Sequence, residues 1–540
     1  MTTRSTPPDA ADFLSFTDLI TAHAAADPAG IAFVEGADSL TWKALSKRVH
    51  QVACALTSAG VKPGDKVAIL AHPSLAYVEC LFGSIAARAC VVPLAVSASV
   101  DALQAMLDDS GAKLLFVDAD ADPAMQGLAR RFAARAPSGL VWFGDALAGG
   151  PSFEAWRAAG ASGSRLSPAA PQDAFNIIYS SGTTGLPKGI VHLHDMRQRQ
   201  ARRPGFGLDR GSQTLLSTPL YSNTTIMPML AALAQGGTTV LMRKFDAGRY
   251  LGLATAMRVT HTMLVPVQYK RILAHPDFAA ADLSSFVLKQ STGAPMEATL
   301  KQEILDRWPG RFVEVYGMTE GGCTCVLDAR LHPDKLGTVG TPAPGNEVFL
   351  IDDAGHQLPR GTTGEVVGRS PFMMAGYHNR PDATADIRWH DTEGRMHHRT
   401  GDIGRFDEDG FLVLLDRKKD VIISGGNNIY AADLEAVLAQ HPDVYESAVI
   451  GIPSPDWGET PLALVVPKPR AQITSAALRE WVNGRVGKTQ RLHAVEMRDE
   501  LPRSNLGKIS KKQLRTPYWE RSGEAVGKTN GERVPTQESA

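Results

Sequence analysis

The sequence predicts an α/β protein: a large N-terminal domain of α/β subdomains with a small β-barrel-like subdomain, then a smaller, mobile α+β C-terminal domain. Three observations carry this. Apolar helical patterns alternate with short apolar runs from residue 16 to about residue 290, at the spacing of a parallel sheet with helices on both faces. Residues 337–415 are rich in Gly, Pro and short β runs. The charged run Asp416-Arg417-Lys418-Lys419-Asp420 then precedes a fresh α/β pattern. With 540 residues the chain also exceeds the ~250–300 at which single cores stop growing. The expected limits are a flexible N-terminus over 1–15, the large domain over 16–417, the small one over 418–520 and a polar, disordered tail over 521–540.

Taken in order, 45–60 reads as an amphipathic helix, and Lys62-Pro63-Gly64-Asp65 as a turn into a strand over 66–70. A helix over 74–87, a strand over 90–94, a helix over 100–110 and a strand over 113–118 follow. The Ala-, Gly-, Ser- and Pro-rich stretch 147–171 reads as a surface connection. Short strands at 175–179 and 190–192 flank a polar loop. Beyond them a strand over 214–221 ends in Ser222-Asn223-Thr224-Thr225, before an apolar helix over 226–235. A strand over 238–242, a helix over 247–258 and strands over 262–265 and 286–290 continue the alternation.

Bulk chemistry narrows the partners. Lys plus Arg number 56 against 57 Asp plus Glu, a net charge of −1, so no global field draws the chain to nucleic acid or an anionic membrane. Cys54, Cys80, Cys90, Cys323 and Cys325 are odd in number and mostly in apolar segments, which fits a reduced compartment. Cys323-Thr324-Cys325 has the wrong spacing for zinc and no second pair. The first residues carry no apolar signal segment, and no stretch approaches ~20 apolar residues, so a soluble cytoplasmic protein without a membrane span is expected.

The polar loop is the centre of the chemistry. It reads Tyr179-Ser180-Ser181-Gly182-Thr183-Thr184-Gly185-Leu186-Pro187-Lys188-Gly189. Glycines let successive N–H groups turn inward on an anion, and hydroxyls and one ammonium add donors, which suits a polyphosphate. A Walker loop places its Lys before Ser or Thr at the start of a helix, whereas Lys188 lies between Pro187 and Gly189 ahead of a β pattern. The loop resembles the signature of the adenylate-forming superfamily: acyl-CoA synthetases, peptide-synthetase adenylation domains and luciferases, with the acid–CoA ligases nearest. The resemblance covers roughly 16–514, because further motifs recur in the family's order.

That resemblance implies the other sites. Val315-Tyr316-Gly317-Met318-Thr319-Glu320 is similar to the second signature: Tyr316, Gly317 and Thr319 would meet the nucleotide, and Glu320 would hold Mg²⁺ on the triphosphate. Gly293, Ala294 and Pro295 would contact adenine, Asp402 the ribose hydroxyls and Arg417 the nucleotide. Lys419 would be the hinge of the C-terminal domain, and Ser424, Gly425 and Gly426 would line the pantetheine tunnel of CoA. Lys508, in Pro502-Arg503-Ser504-Asn505-Leu506-Gly507-Lys508, would bring positive charge to the carboxylate and α-phosphate; Lys508, Thr184 and Glu320 are the expected catalytic residues.

One departure concerns the acid. Many members carry an aromatic-His pair at the end of the strand following the signature loop, but here Tyr221-Ser222 stands, followed by Asn223. The acid pocket is expected from Tyr221, Ser222, Asn223, Gly317 and Met318; Ser222 and Asn223 either cap a helix or face a short or polar substrate tail. The implied reaction joins a carboxylic acid, ATP and CoA through acyl-AMP, with Mg²⁺, in a monomer or homodimer. The tail after Lys508 is too short for a carrier domain, which favours CoA as acceptor. The alternatives are loading of a separate carrier protein, a catalytically silent nucleotide binder, and a kinase or ATPase, which would release ADP.

Overall fold

A computed structural model of the chain describes residues 13–136, 139–160, 166–180, 187–203, 205–425, 427–504 and 507–522. Packing divides it into two compact units, Met1–Val348 with Val367–Thr400, and Phe349–Val366 with Gly401–Ala540. The chain is α/β, a large N-terminal and a smaller C-terminal part.

The first unit contains two twisted sheets. Seven strands run in the order Gly376–Tyr377, Lys188–Leu193, Ala174–Ser180, Cys90–Pro93, Lys66–Leu70, Leu114–Asp118, Leu140–Phe143. The last five are parallel, and their β-branched and apolar runs are buried throughout, as a sheet covered on both faces requires. The nine-stranded sheet has a parallel centre, in the spatial order Arg311–Gly317, Leu288–Thr292, His261–Leu264, Gln213–Leu216, Thr238–Leu241 and Ile31–Glu35. Helices Trp42–Ser58, Leu75–Ala86 and Asn223–Gln235 fill one continuous core, contributing Val52, Leu56, Phe82, Ile85, Ile226, Met229 and Leu233. Sequence starts these helices cleanly: Thr41, Ser74 and Ser222 are N-caps whose hydroxyls accept backbone N–H bonds.

Most expected elements appear within a residue or two, and the exceptions have physical causes. The strand expected over 214–221 is Gln213–Leu216, because Pro219 has no N–H for a ladder and Ser222 N–H closes a turn on its carbonyl at 3.0 Å. The helix expected from 226 begins at Asn223. The 147–171 connection contains the helix Phe153–Ala159, anchored by buried Phe153 against the rings of Phe116 and Phe143. A polar helix, His194–Ala201, was not expected at all.

In the second unit, strands Val444–Ser454 and Gly458–Pro467 form a long antiparallel pair, joined by Ala494–Met497 and by the Ile422–Ser424/Asn427–Ile429 hairpin. Helices Ala431–Leu438 and Ser475–Asn483 cover one face through Leu434, Leu438, Leu478 and Val482. Among the described residues no helix is long and apolar enough to cross a membrane.

Candidate active site

The signature stretch folds as two antiparallel strands with Ser180 opposite Lys188 and Tyr179 opposite Gly189. Ser181, Gly182, Thr183 and Thr184 lie outside the described residues. Lys188 Nζ stands 5.2 Å from the centroid of the Tyr377 ring. The Tyr377 hydroxyl in turn donates to Glu320 Oε1 at 2.7 Å. Burial, then the Glu320 charge, raises the Tyr377 phenol, so it remains a donor. The first and second signatures are thus tied through a residue that neither contains.

Glu320 sits on the turn between strands Arg311–Gly317 and Thr324–Asp328, where Tyr316 faces Cys325 and Gly317 faces Thr324. Its own carbonyl accepts from Met374 N–H at 2.9 Å, fixing the turn. The neighbouring parallel strand Leu288–Thr292 leads into Gly293, Ala294 and Pro295, beside Val315. A Cβ on Gly293 would lie 3.8 Å from Thr224 Oγ1, so the start of helix Asn223–Gln235 adjoins the same turn. The polar segments therefore gather outside the carboxyl ends of parallel strands, where open α/β sheets form crevices.

Among the residues expected at the acid, Tyr221 OH lies 3.4 Å from Ser97 Oγ, bridging the two sheets. Ser222 is 3% exposed and its hydroxyl accepts from Thr224 N–H at 3.2 Å, so it serves as the helix cap. Asn223 is half-buried and its Oδ1 accepts from Arg197 Nη1 at 2.6 Å. Arg197, with buried His192 and Asn176, was passed over in the sequence. The octapeptide His194–Ala201 has no apolar period, and the only available signal was an Arg within reach of a strand end.

In the C-terminal unit, Asp402 and Arg417 are cross-strand partners, with Oδ1 and Nε 2.6 Å apart. Burial lowers the Lys419 ammonium, helped by Arg417, Arg515 and Lys512 and opposed by Asp420. Gly425 follows Ser424 at φ +54, donates to the Trp457 carbonyl at 2.8 Å, and would bring a Cβ within 2.7 Å of the Trp457 ring. No other residue fits there without displacing the indole. Gly426 lies outside the described residues. Lys508 is exposed on a turn where Ser504 N–H donates to its carbonyl at 2.7 Å. Arg503 braces that turn through the Gly507 carbonyl at 2.8 Å and an ion pair with Glu446.

Glu347, Asp391 and His397 place ligand atoms within 4.8 Å of one another. Arg395 already bonds both carboxylates, at 2.8 Å to Asp391 and 3.2 Å to Glu347, and Arg369 pairs with Glu347 at 3.3 Å, so these carboxylates are engaged in an ion-pair network.

Two family models match the chain, AMP-binding enzyme over residues 20–378 and AMP-binding enzyme C-terminal domain over 433–508. The chain belongs to the AMP-binding enzymes, the adenylate-forming superfamily. A feruloyl-CoA synthase from Amycolatopsis is 36% identical over 495 residues, covering 91% of this chain and 96% of that protein. A fatty acid–[acyl-carrier-protein] ligase from Streptomyces coeruleorubidus is 32% identical over 521 residues, covering 94% and 96%. Among solved structures, ATP-bound MatB from Rhodopseudomonas palustris superposes with a TM-score of 0.83 at 27% identity, over 94% of this chain and 99% of that one.

Proposed function

We propose that this member of the family is an AMP-forming carboxylic acid–CoA ligase. The observation that carries the reading is the match of both family models over a chain that keeps Lys188, Glu320, Asp402, Arg417 and Lys508. The acid carboxylate attacks the α-phosphorus of ATP, pyrophosphate leaves, and acyl-AMP forms; the CoA thiol then attacks the acyl carbon and AMP leaves. Catalysis of the first step is positioning and charge stabilisation. Lys188 and the loop that precedes it hold the departing phosphates, Asp402 the ribose, and Arg417 the nucleotide. Lys508 neutralises charge developing at the α-phosphate. Ser424, Gly425 and Gly426 serve the thiol step, and Lys419 is the hinge between the two steps.

Magnesium fits the residues present. One oxygen of Glu320 accepts from Tyr377, and among the described residues none hydrogen-bonds the other, which suits a Mg²⁺ that asks for one or two carboxylates besides phosphate oxygens. When bound, the ion neutralises phosphate charge and orients the leaving pyrophosphate. Glu320 would hold it, and Tyr377 would keep that carboxylate aimed.

The deciding measurement is pyrophosphate and AMP release from ATP and Mg²⁺ over a panel of short, branched, medium-chain and aromatic acids, with and without CoA. Release that needs both an acid and CoA is expected. The carrier-protein ligase at 32% identity favours a second reading, loading of a separate carrier. Acid-dependent pyrophosphate exchange that CoA does not draw off would establish it instead. ADP as product would end both. Lys508→Ala is expected to lower acyl-AMP formation by roughly 100-fold or more while sparing thioester formation from supplied acyl-AMP.

A further inference from the structure

Arg197 is a fully buried cation, 0% exposed, and among the described residues no carboxylate comes within ion-pair distance of it. Its acceptors are all neutral: Asn176 Oδ1 at 3.0 Å, Gln200 Oε1 at 2.8 Å, Asn223 Oδ1 at 2.6 Å and His192 Nδ1 at 3.0 Å. Burial pulls its pKa down to about 9, which still leaves it charged at neutral pH. An unpaired buried charge is costly, so a fold that keeps one surrounds it with oriented dipoles.

A guanidinium has donors only, and this fixes the orientation of everything around it. The oxygen of each amide must face Arg197. Asn176 then turns its Nδ2 to His192 Nδ1, 3.3 Å away. His192 Nδ1, bonded by two donors, is the unprotonated nitrogen, and Nε2–H donates to the Thr319 carbonyl at 2.7 Å. Asn223 and Gln200 are half-buried where Arg197, His192 and Asn176 are buried, and of the two it is Asn223 that follows Tyr221 and Ser222. With its Oδ1 held by Arg197, the Asn223 group left to face outward is the NH₂, at the first position of helix Asn223–Gln235, one residue before Thr224, whose hydroxyl adjoins the Gly293 turn.

We propose that Arg197 is a positioning residue that sets acid specificity: it forces Asn223 to present its NH₂ to the acid site, which thereby selects carboxylic acids whose tail carries an oxygen acceptor. This rests on the acid–CoA ligase reading, with the acid bound near Tyr221–Asn223. It assigns to Asn223 the recognition and to Ser222 only the helix cap. The second end of the network, at Thr319, ties the same arginine to the nucleotide side.

The test compares kcat/KM, by pyrophosphate release, for matched acids: cinnamate against its meta- and para-methoxy derivatives, and hexanoate against omega-methoxyhexanoate. Methoxy oxygen accepts and never donates, so it reports only on a protein donor. The native enzyme should prefer the better methoxy acid of a pair by about tenfold, the worth of one well-placed hydrogen bond. In Asn223→Leu, which has no donor, and Asn223→Asp, which pairs with Arg197 and offers an oxygen, that ratio should fall to one or below. Arg197→Met, checked by thermal unfolding, should lower the ratio as well, since the amide is then free to turn. A purely structural role predicts that both acids of a pair lose activity together with the ratio kept, and that result would overturn the proposal. Activity on the panel without preference in the native enzyme overturns it too, and leaves the ligase standing. No acid activated at all removes the ligase reading, and the inference with it.

Discussion

The side of the first unit proposed for the nucleotide and the side proposed for the acid are built from different materials. The nucleotide side consists of backbone turns at strand ends, around Gly293 and around Met318–Gly322, with Lys188, Tyr377 and Glu320 laid over them. The acid side is a buried set of side chains around Arg197, whose backbone is an ordinary short helix. Backbone geometry is intolerant of a single added methyl but indifferent to most neighbouring side chains. A side-chain network tolerates exchanges that keep its donors and acceptors in place. Where selectivity among acids has to vary while ATP chemistry stays the same, this division of materials is the one expected.

The largest effect should come from the backbone side. Gly321 holds φ +81, and a Cβ there would overlap the Phe372 carbonyl oxygen. Gly321→Ala should cost about 2–4 kcal/mol in urea unfolding and reduce activity with every acid alike. On the acid side, Asn223→Ala should cost about 1–2 kcal/mol, the loss of one of the four acceptors of a buried guanidinium at a half-buried position. Equal costs for the two would break the comparison.

A smaller effect sharpens it. Tyr377→Phe keeps the ring beside Lys188 and removes only the hydroxyl that holds Glu320. The Mg²⁺ concentration needed for half-maximal pyrophosphate release should rise about 3–10-fold. Acid preference should not move. A shift in acid ranking would show that the two sides are not separable.

The same contrast explains what the sequence disclosed. Turn chemistry is local, so a strand, a polar loop and a second strand could be read around Ser180 and Lys188 from residue types, whereas Tyr316–Glu320 was picked out by family resemblance and lies on a turn between two strands. Strand Gln213–Leu216 was read too long because the apolar run outlasts the hydrogen-bond ladder, which Pro219 cannot continue. Helix Phe153–Ala159 was hidden by its two-turn length within an Ala-, Gly-, Ser- and Pro-rich stretch; Phe153 is buried in the core and Trp156 packs at its edge. Helix His194–Ala201 was missed for the opposite reason. His194, Met196, Arg197, Gln198 and Ala201 are buried, yet most are polar, and the rule that polar faces are exposed fails where a buried side chain such as Arg197 finds its own acceptors. Arg197 is legible only once its four acceptors are seen to converge, three from other elements and one, Gln200, from near the end of its own helix. The hinge and thiol-step assignments in the second unit came from family resemblance alone.

His192 joins the two sides, and its replacement has the smallest effect at neutral pH and the most specific one in acid. Burial, reinforced by the Arg197 charge, holds its pKa well below 6.5, against the weaker opposing pull of the Thr319 carbonyl. The folded protein therefore keeps His192 neutral while the unfolded chain protonates it below about pH 6.5. In that window the unfolded state binds one more proton, so stability rises with pH and falls on acidification, by up to about 1.4 kcal/mol per pH unit from this residue. Glutamine can supply the same pair of groups, an oxygen toward Arg197 and an N–H toward Thr319. His192→Gln should therefore retain activity and acid preference at pH 7.5, while unfolding free energies measured from pH 6.5 to pH 5 should fall less steeply than in the native chain. An unchanged slope would mean that His192 is already protonated at both ring nitrogens in the folded state, and Arg197 could not then be donating to its Nδ1.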